Sequence, residues 1–184
     1  CYGTDNNPTL ENKYVESEGT IGEFTCTLSD LTTATTYYAR AYATNSKGTV
    51  YGEQVQFTTE AVIATLTTAV ATDITINSAT VGGEITSDGG ATITARGVCY
   101  STAEKPTLQD NSVDSGKGTG SFTCTLTGLS PKTKYYARAY ATNEKGVAYG
   151  NQITFETTST TATIITTEAT NITATSAIVG GNIT

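Results

Sequence analysis

The sequence predicts an all-β protein built from tandem β-sandwich units, and three observations lead to this prediction. The chain repeats itself at an interval of 98 residues without insertion or deletion, and 46 of the 86 residue pairs at this spacing are identical. Short alternating runs are separated by clusters of Gly, Asn, Asp and Ser, which is typical of a sandwich. Thr supplies 42 of the 184 residues, and this β-branched polar side chain suits strands with one face in water. One unit of about one hundred residues is therefore used in series.

The strands of one whole unit follow from its alternation. No stretch of about 11 residues shows a helical period, and turn residues at 87–90 and 143–146 separate the runs. In the run 120–126 every second residue is apolar, which indicates one buried face. The expected strands are 67–75, 78–86, 92–101, a short strand near Val113, 120–126, 135–142 and 147–157.

The phase of the repeat divides the chain into three segments. The first segment, residues 1–60, corresponds to the later strands of an incomplete unit. The middle segment, residues 61–159, is a complete unit, and the last segment, residues 160–184, matches the first two strands of a following unit. A sandwich that lacks two strands leaves open edges and half of its core exposed. We expect either that the chain continues beyond both ends, or that the last segment of one copy completes the first segment of another by strand addition.

The corner before the penultimate strand carries a resemblance to a known family. Residues 129–135 read Leu-Ser-Pro-Lys-Thr-Lys-Tyr, and 137–146 continue with alternating alanines and an Asn-x-x-Gly turn. This pattern resembles the Leu-x-Pro-x-Thr-x-Tyr corner of fibronectin type III domains. The whole unit is similar to fibronectin type III-like, immunoglobulin-like repeats in surface proteins and lipoproteins of Gram-negative bacteria. The resemblance implies tandem sandwiches of this class on a secreted or cell-surface bacterial protein.

Two positions depart from the family pattern. Gly82 and Gly83 stand where a Trp is common on the second strand, which predicts a thinner core that a disulfide would help to fill. Thr33 in the first repeat replaces Pro131 of the second, which predicts that the corner tolerates loss of the proline. Sandwiches of this kind host many roles, so the resemblance specifies the fold more closely than the function.

Alternation on the penultimate strand separates two sets of side chains. Tyr135 and its counterpart Tyr37 are expected to point inward, where the hydroxyl would bond to the corner backbone as in the tyrosine corner of this class. The outward set forms a Tyr-Arg-Tyr stripe, which comprises Tyr38, Arg40 and Tyr42 in one repeat and Tyr136, Arg138 and Tyr140 in the other. Tyr and Arg are favoured at interfaces, so the stripe is a candidate contact for a protein or a glycan. The alternative is cross-strand packing, with Arg lying between the rings.

The four cysteines also follow the repeat. They are two per repeat with a spacing of 25 residues, which predicts the disulfides Cys1–Cys26 and Cys99–Cys124. A zinc site would need closely spaced pairs, and a cysteine nucleophile would need a His partner that the chain lacks. The disulfides would place the protein in an oxidising compartment, outside the cell.

Composition excludes several classes of function. The chain has no His, so it lacks the usual general base and the commonest metal ligand. We therefore expect that the protein is not an enzyme and that it binds no metal ion or cofactor. A net charge of −7 without a basic run disfavours binding to nucleic acid or anionic membranes. The chain has no run of about 18 apolar residues, so the sequence predicts no membrane span. The crossover carboxylates are Glu11, Glu16 and Glu18 in the first repeat and Asp110 and Asp114 in the second. Their spacing differs between the repeats, which favours solvated loops over a calcium site.

The sequence favours a structural role outside the cell. We expect a stalk or filament subunit of tandem sandwiches whose partners are copies of itself, arranged head to tail. The alternatives are an adhesin or carbohydrate-binding module that uses the tyrosine stripe, and a spacer domain in a larger secreted protein. Asn171 and Asn182 begin N-glycosylation triplets, although such triplets arise by chance in a Thr-rich chain.

Overall fold

A computed structural model describes residues 1–18 and 21–184 of the chain. These ranges hold β-strands and no helix, so the prediction of an all-β fold is confirmed. No helix that could cross a membrane is found among them. The strands are β1 (Tyr2–Gly3), β2 (Thr36–Ala39), β3 (Tyr42–Asn45), β4 (Gly48–Tyr51), β5 (Val55–Thr58), β6 (Thr65–Thr68), β7 (Ser78–Ser87), β8 (Ala95–Ser101), β9 (Asn111–Asp114), β10 (Gly120–Thr127), β11 (Lys134–Asn143), β12 (Gly146–Tyr149), β13 (Ile153–Glu156), β14 (Ile164–Thr166) and β15 (Gly181–Ile183).

In the middle segment, two antiparallel sheets pack face to face. One sheet has the order β10-β7-β6, and the other has the order β12-β11-β8-β9, with β13 also paired to β11. The buried apolar residues of both sheets form one cluster between them. On β10 the buried side chains are Phe122, Cys124 and Leu126, as the alternation predicts. The middle segment is therefore a β-sandwich.

The two sheets approach closely because small residues face each other. Ala137, Ala139 and Ala141 of β11 are fully buried. A Cβ atom placed on Gly83 of β7 would lie 2.6 Å from the Cβ of Ala139, and one placed on Gly82 would overlap the Phe122 carbonyl oxygen. The glycine pair thus allows β7 to lie against β10 on one side and β11 on the other.

The final predicted strand is interrupted in the structure. β12 and β13 both pair with β11, on either side of residues 150–152. Here the Asn151 side chain bonds to β6: its oxygen accepts a hydrogen bond from the Thr68 amide (2.9 Å), and its NH₂ donates to the Thr68 carbonyl (3.4 Å). The Thr68 hydroxyl in turn accepts a hydrogen bond from the Ala139 amide (2.9 Å). The first two bonds join β6 to residues 150–152, and the third joins β6 to β11 of the other sheet.

The first segment contains the same sequence in a less regular structure. Its strands form a sheet of order β1-β2-β5 and a separate hairpin β3-β4. The stretch that is one strand in β11 is divided here at Arg40 and Ala41. Residues 24–28 are identical to 122–126 of β10 but are not in a strand. The identical pentapeptide thus forms a strand only where β7 lies beside it.

The last segment is a hairpin-like pair of strands. β14 pairs with β15 through Ile164–Ile183, Ile165–Asn182 and Thr166–Gly181. Each pair lies 98 residues after a pair between β6 and β7, namely Leu66–Ile85, Thr67–Glu84 and Thr68–Gly83. The bridge between Thr170 and Ile178 likewise repeats the bridge between Thr72 and Thr80. The strand pairs β6–β7 and β14–β15 therefore share one register. Within the described residues, β6 and β7 pack against a second sheet, whereas β14 and β15 do not.

The Gly83 contact leads to a stability prediction. Gly83→Val should lower the free energy of unfolding by about 3 kcal/mol, because the added side chain would displace β11 from β7. The matched control is Gly181→Val at the equivalent position of the last segment, where an added Cβ would come no closer than 3.3 Å to another atom. Urea unfolding of dilute protein, followed by circular dichroism, measures both changes. Equal effects of the two substitutions would contradict this packing.

Candidate functional site

The first segment has an open groove where the middle segment has β6 and β7. The groove is a cavity of about 870 Å³. Phe24, Leu28 and Val55 supply part of its apolar lining, and Glu16 and Glu53 lie at its walls. The counterparts of the three apolar residues are Phe122, Leu126 and Ile153, which belong to the core of the middle segment or pack against it. We call this feature the groove.

Side chains that form the core of the middle segment are exposed in the groove. Phe24 is 54% exposed, whereas Phe122 is 7% exposed in an identical local sequence. Ala41 is also exposed, whereas its counterpart Ala139 is fully buried. The difference arises because no strands of the described chain cover this face of the first segment.

The last segment exposes the opposite half of the same core. Val179 is 60% exposed, whereas its counterpart Val81 is 1% exposed. Ile164, Ile172 and Ile183 are exposed in the same way. The groove and the last segment therefore present two apolar faces whose counterparts pack together in the middle segment.

The Tyr-Arg-Tyr stripe lies on the outer face of the larger sheet, and its arginine packs across the strands. The Arg138 guanidinium carbon lies 4.6 Å from the ring centre of Tyr149 on β12, and Nε donates a hydrogen bond to the Gly150 carbonyl (3.1 Å). Arg40 repeats this arrangement, at 4.8 Å from the ring of Tyr51. Such cation–π contacts stiffen a sheet. These contacts are of the kind expected if the stripe serves cross-strand packing, the alternative to a ligand contact. The arginine of β11 stacks on Tyr149, however, and not on a tyrosine of the stripe.

The expectation that Tyr140 is an exposed contact residue is wrong. Its side chain is 4% exposed. The ring lies across Gly97 of β8, where an added Cβ would be 2.9 Å from Tyr140 Cε1, and the hydroxyl donates a hydrogen bond to Asp114 of β9 (3.4 Å). Burial, together with the Asp114 carboxylate, raises the pKa of Tyr140 to about 12. The tyrosine covers a glycine on its own sheet, so a ligand has no access to it.

The remaining members of the stripe are half-buried. They are Tyr38, Arg40, Tyr42, Tyr136 and Arg138. The Lys134 ammonium lies 5.0 Å from the ring centre of Tyr136, and the ring of Tyr42 lies edge-on to Tyr14 at 6.3 Å. These two rings thus already have partners within the chain.

Both inward tyrosines bond to the corner that precedes them. The Tyr135 hydroxyl accepts a hydrogen bond from the Ser130 amide (3.0 Å), and the Tyr37 hydroxyl accepts one from the Thr32 amide (3.0 Å). Lys132 and its counterpart Ala34 have nearly equal positive φ angles of 48° and 47°. The two corners therefore share one geometry, with or without the proline.

The predicted disulfides are not formed, because all four cysteines, Cys1, Cys26, Cys99 and Cys124, are free thiols. Cys99 pairs with Arg138 on β11, so it lies on the outer face of its sheet. It is buried there and donates a hydrogen bond to the Pro106 carbonyl (3.2 Å). Cys124 lies on the core face of β10. The side chains of Cys99 and Cys124 therefore lie on opposite sides of β8. Cys1 repeats the position of Cys99, and Cys26 repeats the position of Cys124. The expectation that a disulfide fills the core is therefore also wrong.

The two candidate glycosylation residues lie apart from the groove. Asn171 is in a turn with φ 48°, Asn182 is on β15, and both are exposed. Within residues 1–18 and 21–184, no group of three or more His, Cys, Asp or Glu side chains is placed to hold a metal ion. The crossover carboxylates Glu16 and Asp114 occupy equivalent positions in the two repeats and belong to no such group.

Sequence reasoning did not find two features of the site. One is the set of bonds among Thr68, Asn151 and Ala139, and the other is the stacking of Arg138 on Tyr149. The repeat contains a signal for the second, since Tyr51-Gly52 returns unchanged as Tyr149-Gly150. The first has a weaker signal, because Asn151 corresponds to Glu53.

Comparisons with known proteins give matches among solved structures only. No family model and no curated protein matches the chain. Similar structures include the sensor domain of the anti-sigma factor RsgI4 from Pseudobacteroides cellulosolvens, at 18% identity over 53% of this chain and 96% of that chain, with a TM-score of 0.41. Domains A168–A170 of titin match at 24% identity over 68% of this chain and 41% of theirs, with a TM-score of 0.42.

A fibronectin type III domain from the human KIAA0970 protein also matches. Its identity is 19%, over 53% of this chain and 76% of that domain, with a TM-score of 0.37. The structural neighbours thus include a solved fibronectin type III domain.

The cysteine geometry predicts two reactivity classes. Burial raises the pKa of the Cys99 thiol to about 11 and also raises the pKa of the Cys124 thiol. In dilute native protein, Cys26 should be alkylated at least about tenfold faster than Cys124, because Cys26 is more exposed within the same pentapeptide. Timed alkylation with peptide mass spectrometry measures both rates. Fewer than four titratable thiols in denaturant without reductant would contradict the free-thiol assignment.

Proposed function

We propose that the chain is a structural protein of the cell exterior, in which β-sandwich units join head to tail into a stalk or filament. The observation that supports this most directly is the pair of matching exposed faces. The groove at one end and the last segment at the other repeat the two halves of a core that is closed in the middle segment. Units in series would close each half against its neighbour.

Two routes lead to such a series. In one, the polypeptide continues and supplies further units in the same backbone. In the other, strands from one copy complete the sandwich of the next copy. Both give an extended row of sandwiches in which the contacts of β6 and β7 with β10 and β11 recur at each step.

The junction between the first and middle segments supports a mechanical role. Asn143 is buried, and its NH₂ donates hydrogen bonds to the carbonyls of Val62 and Asp88, both at 2.8 Å. The Val62 amide donates to the Gly89 carbonyl (2.9 Å). These bonds fix the linker to the turns of the next unit, so that tension is transmitted through an ordered connection rather than a loose tether.

The proposed location outside the cell rests on composition and on resemblance. The chain is acidic and rich in Thr, which suits solubility of a long surface array. The corner and strand pattern resemble repeats of bacterial surface proteins. Without disulfides, stability comes from the sandwich core and the two tyrosine corners.

Electron microscopy of the native material tests this function. We expect rods or filaments with an axial repeat set by one sandwich unit. The mass of the same material after reduction and denaturation then separates the two routes: subunits near 19.1 kDa indicate strand exchange, and a much larger polypeptide indicates a continuous chain. Isolated particles with no axial repeat would contradict the proposed function.

A further inference from the structure

We propose that residues 163–184 of one copy of this 184-residue chain dock in the groove of a second copy, in the register that β6 and β7 have in the middle segment. This inference rests on the proposed function and names the partner and the contacts of one of its two routes. The occupant of the groove is thus a specific segment of the same sequence.

The docking segment already has the required shape. Thirteen of its 22 residues are identical to residues 65–86. β14 and β15 pair in the same register as β6 and β7. An isolated two-stranded pair is marginally stable in water, so its exposed isoleucines and Val179 favour association with a partner sheet.

The last segment cannot reach the groove of its own chain. The chain enters the middle segment near Asn143, at the end of β11, where the Asn143 NH₂ donates a hydrogen bond to the Val62 carbonyl. The last segment leaves near Lys132, just before β11 begins, where the Lys132 amide donates to the Thr158 carbonyl (3.1 Å). The ten residues of β11 span about 33 Å. The five residues 158–162 reach at most about 18 Å, so a last segment that fills this groove must come from another copy.

The register follows from the repeat. In the middle segment, Cys124 pairs with Val81 and Phe122 pairs with Gly83. The repeat makes Cys26 the counterpart of Cys124 and Val179 the counterpart of Val81, so Cys26 would lie opposite Val179 of the docked copy. By the same shift, Phe24 would lie opposite Gly181 of the docked copy. Residues 24–28 then gain the neighbour that makes their counterparts a strand.

The polar contacts of β6 can also be reproduced. Thr166 corresponds to Thr68, so its hydroxyl would accept a hydrogen bond from the Ala41 amide. Glu53 replaces Asn151, and its carboxylate can accept the Thr166 amide hydrogen in the same way. Gly181 corresponds to Gly83 and leaves room for Ala41 as Gly83 does for Ala139. The interface therefore buries apolar faces and gives partners to the amide and the hydroxyl of Thr166.

Because the groove and the docking segment lie at opposite ends of the chain, the contact is heterologous. Each copy offers one groove and one docking segment. Such contacts produce open-ended chains unless a rotation closes them into a ring.

A cross-link tests the register. In the Val179→Cys chain, the new thiol should lie opposite Cys26 of another copy, at the Cα separation of about 4.5–5.5 Å for directly paired antiparallel residues, which suits a disulfide. After mild oxidation, we expect a ladder of covalent multimers on a non-reducing gel. Mass spectrometry should find a disulfide-linked peptide pair that joins Cys26 to the thiol introduced at position 179. Ile178→Cys is the matched control, since its counterpart Thr80 pairs with Thr125 on the solvent face and position 178 would lie opposite Thr27.

Adding Gly181→Val to the Val179→Cys chain should abolish the ladder, because the valine would collide with Ala41 of the partner. Multimers by light scattering without a link between Cys26 and position 179 would overturn the register and leave the proposed function standing. A 184-residue chain that stays monomeric at high concentration would overturn docking and leave only the continuous-chain route. The proposed function itself is tested separately by electron microscopy of the native material, where isolated particles with no axial repeat would contradict it.

Discussion

The structure depends on the packing of the β6–β7 pair against β10 and β11. These two strands supply Leu66, Val81 and Ile85 to the core, and burial of each such side chain stabilises the fold by about 1.5–3 kcal/mol. They also bring Thr68, whose hydroxyl accepts a hydrogen bond from the Ala139 amide in the other sheet. In the first segment, where no described residues take the place of this pair, the strands are shorter and residues 24–28 are not in a strand.

The chain contains its own comparison, because long stretches are identical in two environments. Residues 37–45 repeat as 135–143, yet the first copy is divided into two strands and the second is continuous. The tyrosine corner is the exception, since both copies keep the 3.0 Å bond from the hydroxyl to the corner amide. Local contacts within a corner thus form independently, whereas a strand in the middle of a sheet needs both neighbours.

Much of this could be predicted from the sequence, and the errors have a common origin. Period-two alternation identifies the buried face of β10, and the corner motif identifies Tyr135 as an inward residue. The pairing of the cysteines was wrong because spacing along the chain does not tell which face of β8 carries Cys99. That depends on its register with β11, where Val98 pairs with Ala139 and Cys99 with Arg138. The burial of Tyr140 was missed for a related reason, since it depends on Gly97 and Asp114 in other strands.

Hydrogen exchange at the two identical pentapeptides tests the central claim most directly. Residues 24–28 and 122–126 share one sequence, so differences in amide exchange report their surroundings. In dilute protein, we expect amides of 122–126 to be protected and those of 24–28 to exchange at rates near those of an unfolded chain. At concentrations where copies associate, 24–28 should become protected. Equal protection of the two pentapeptides in monomeric protein would contradict the claim that β6 and β7 make this strand.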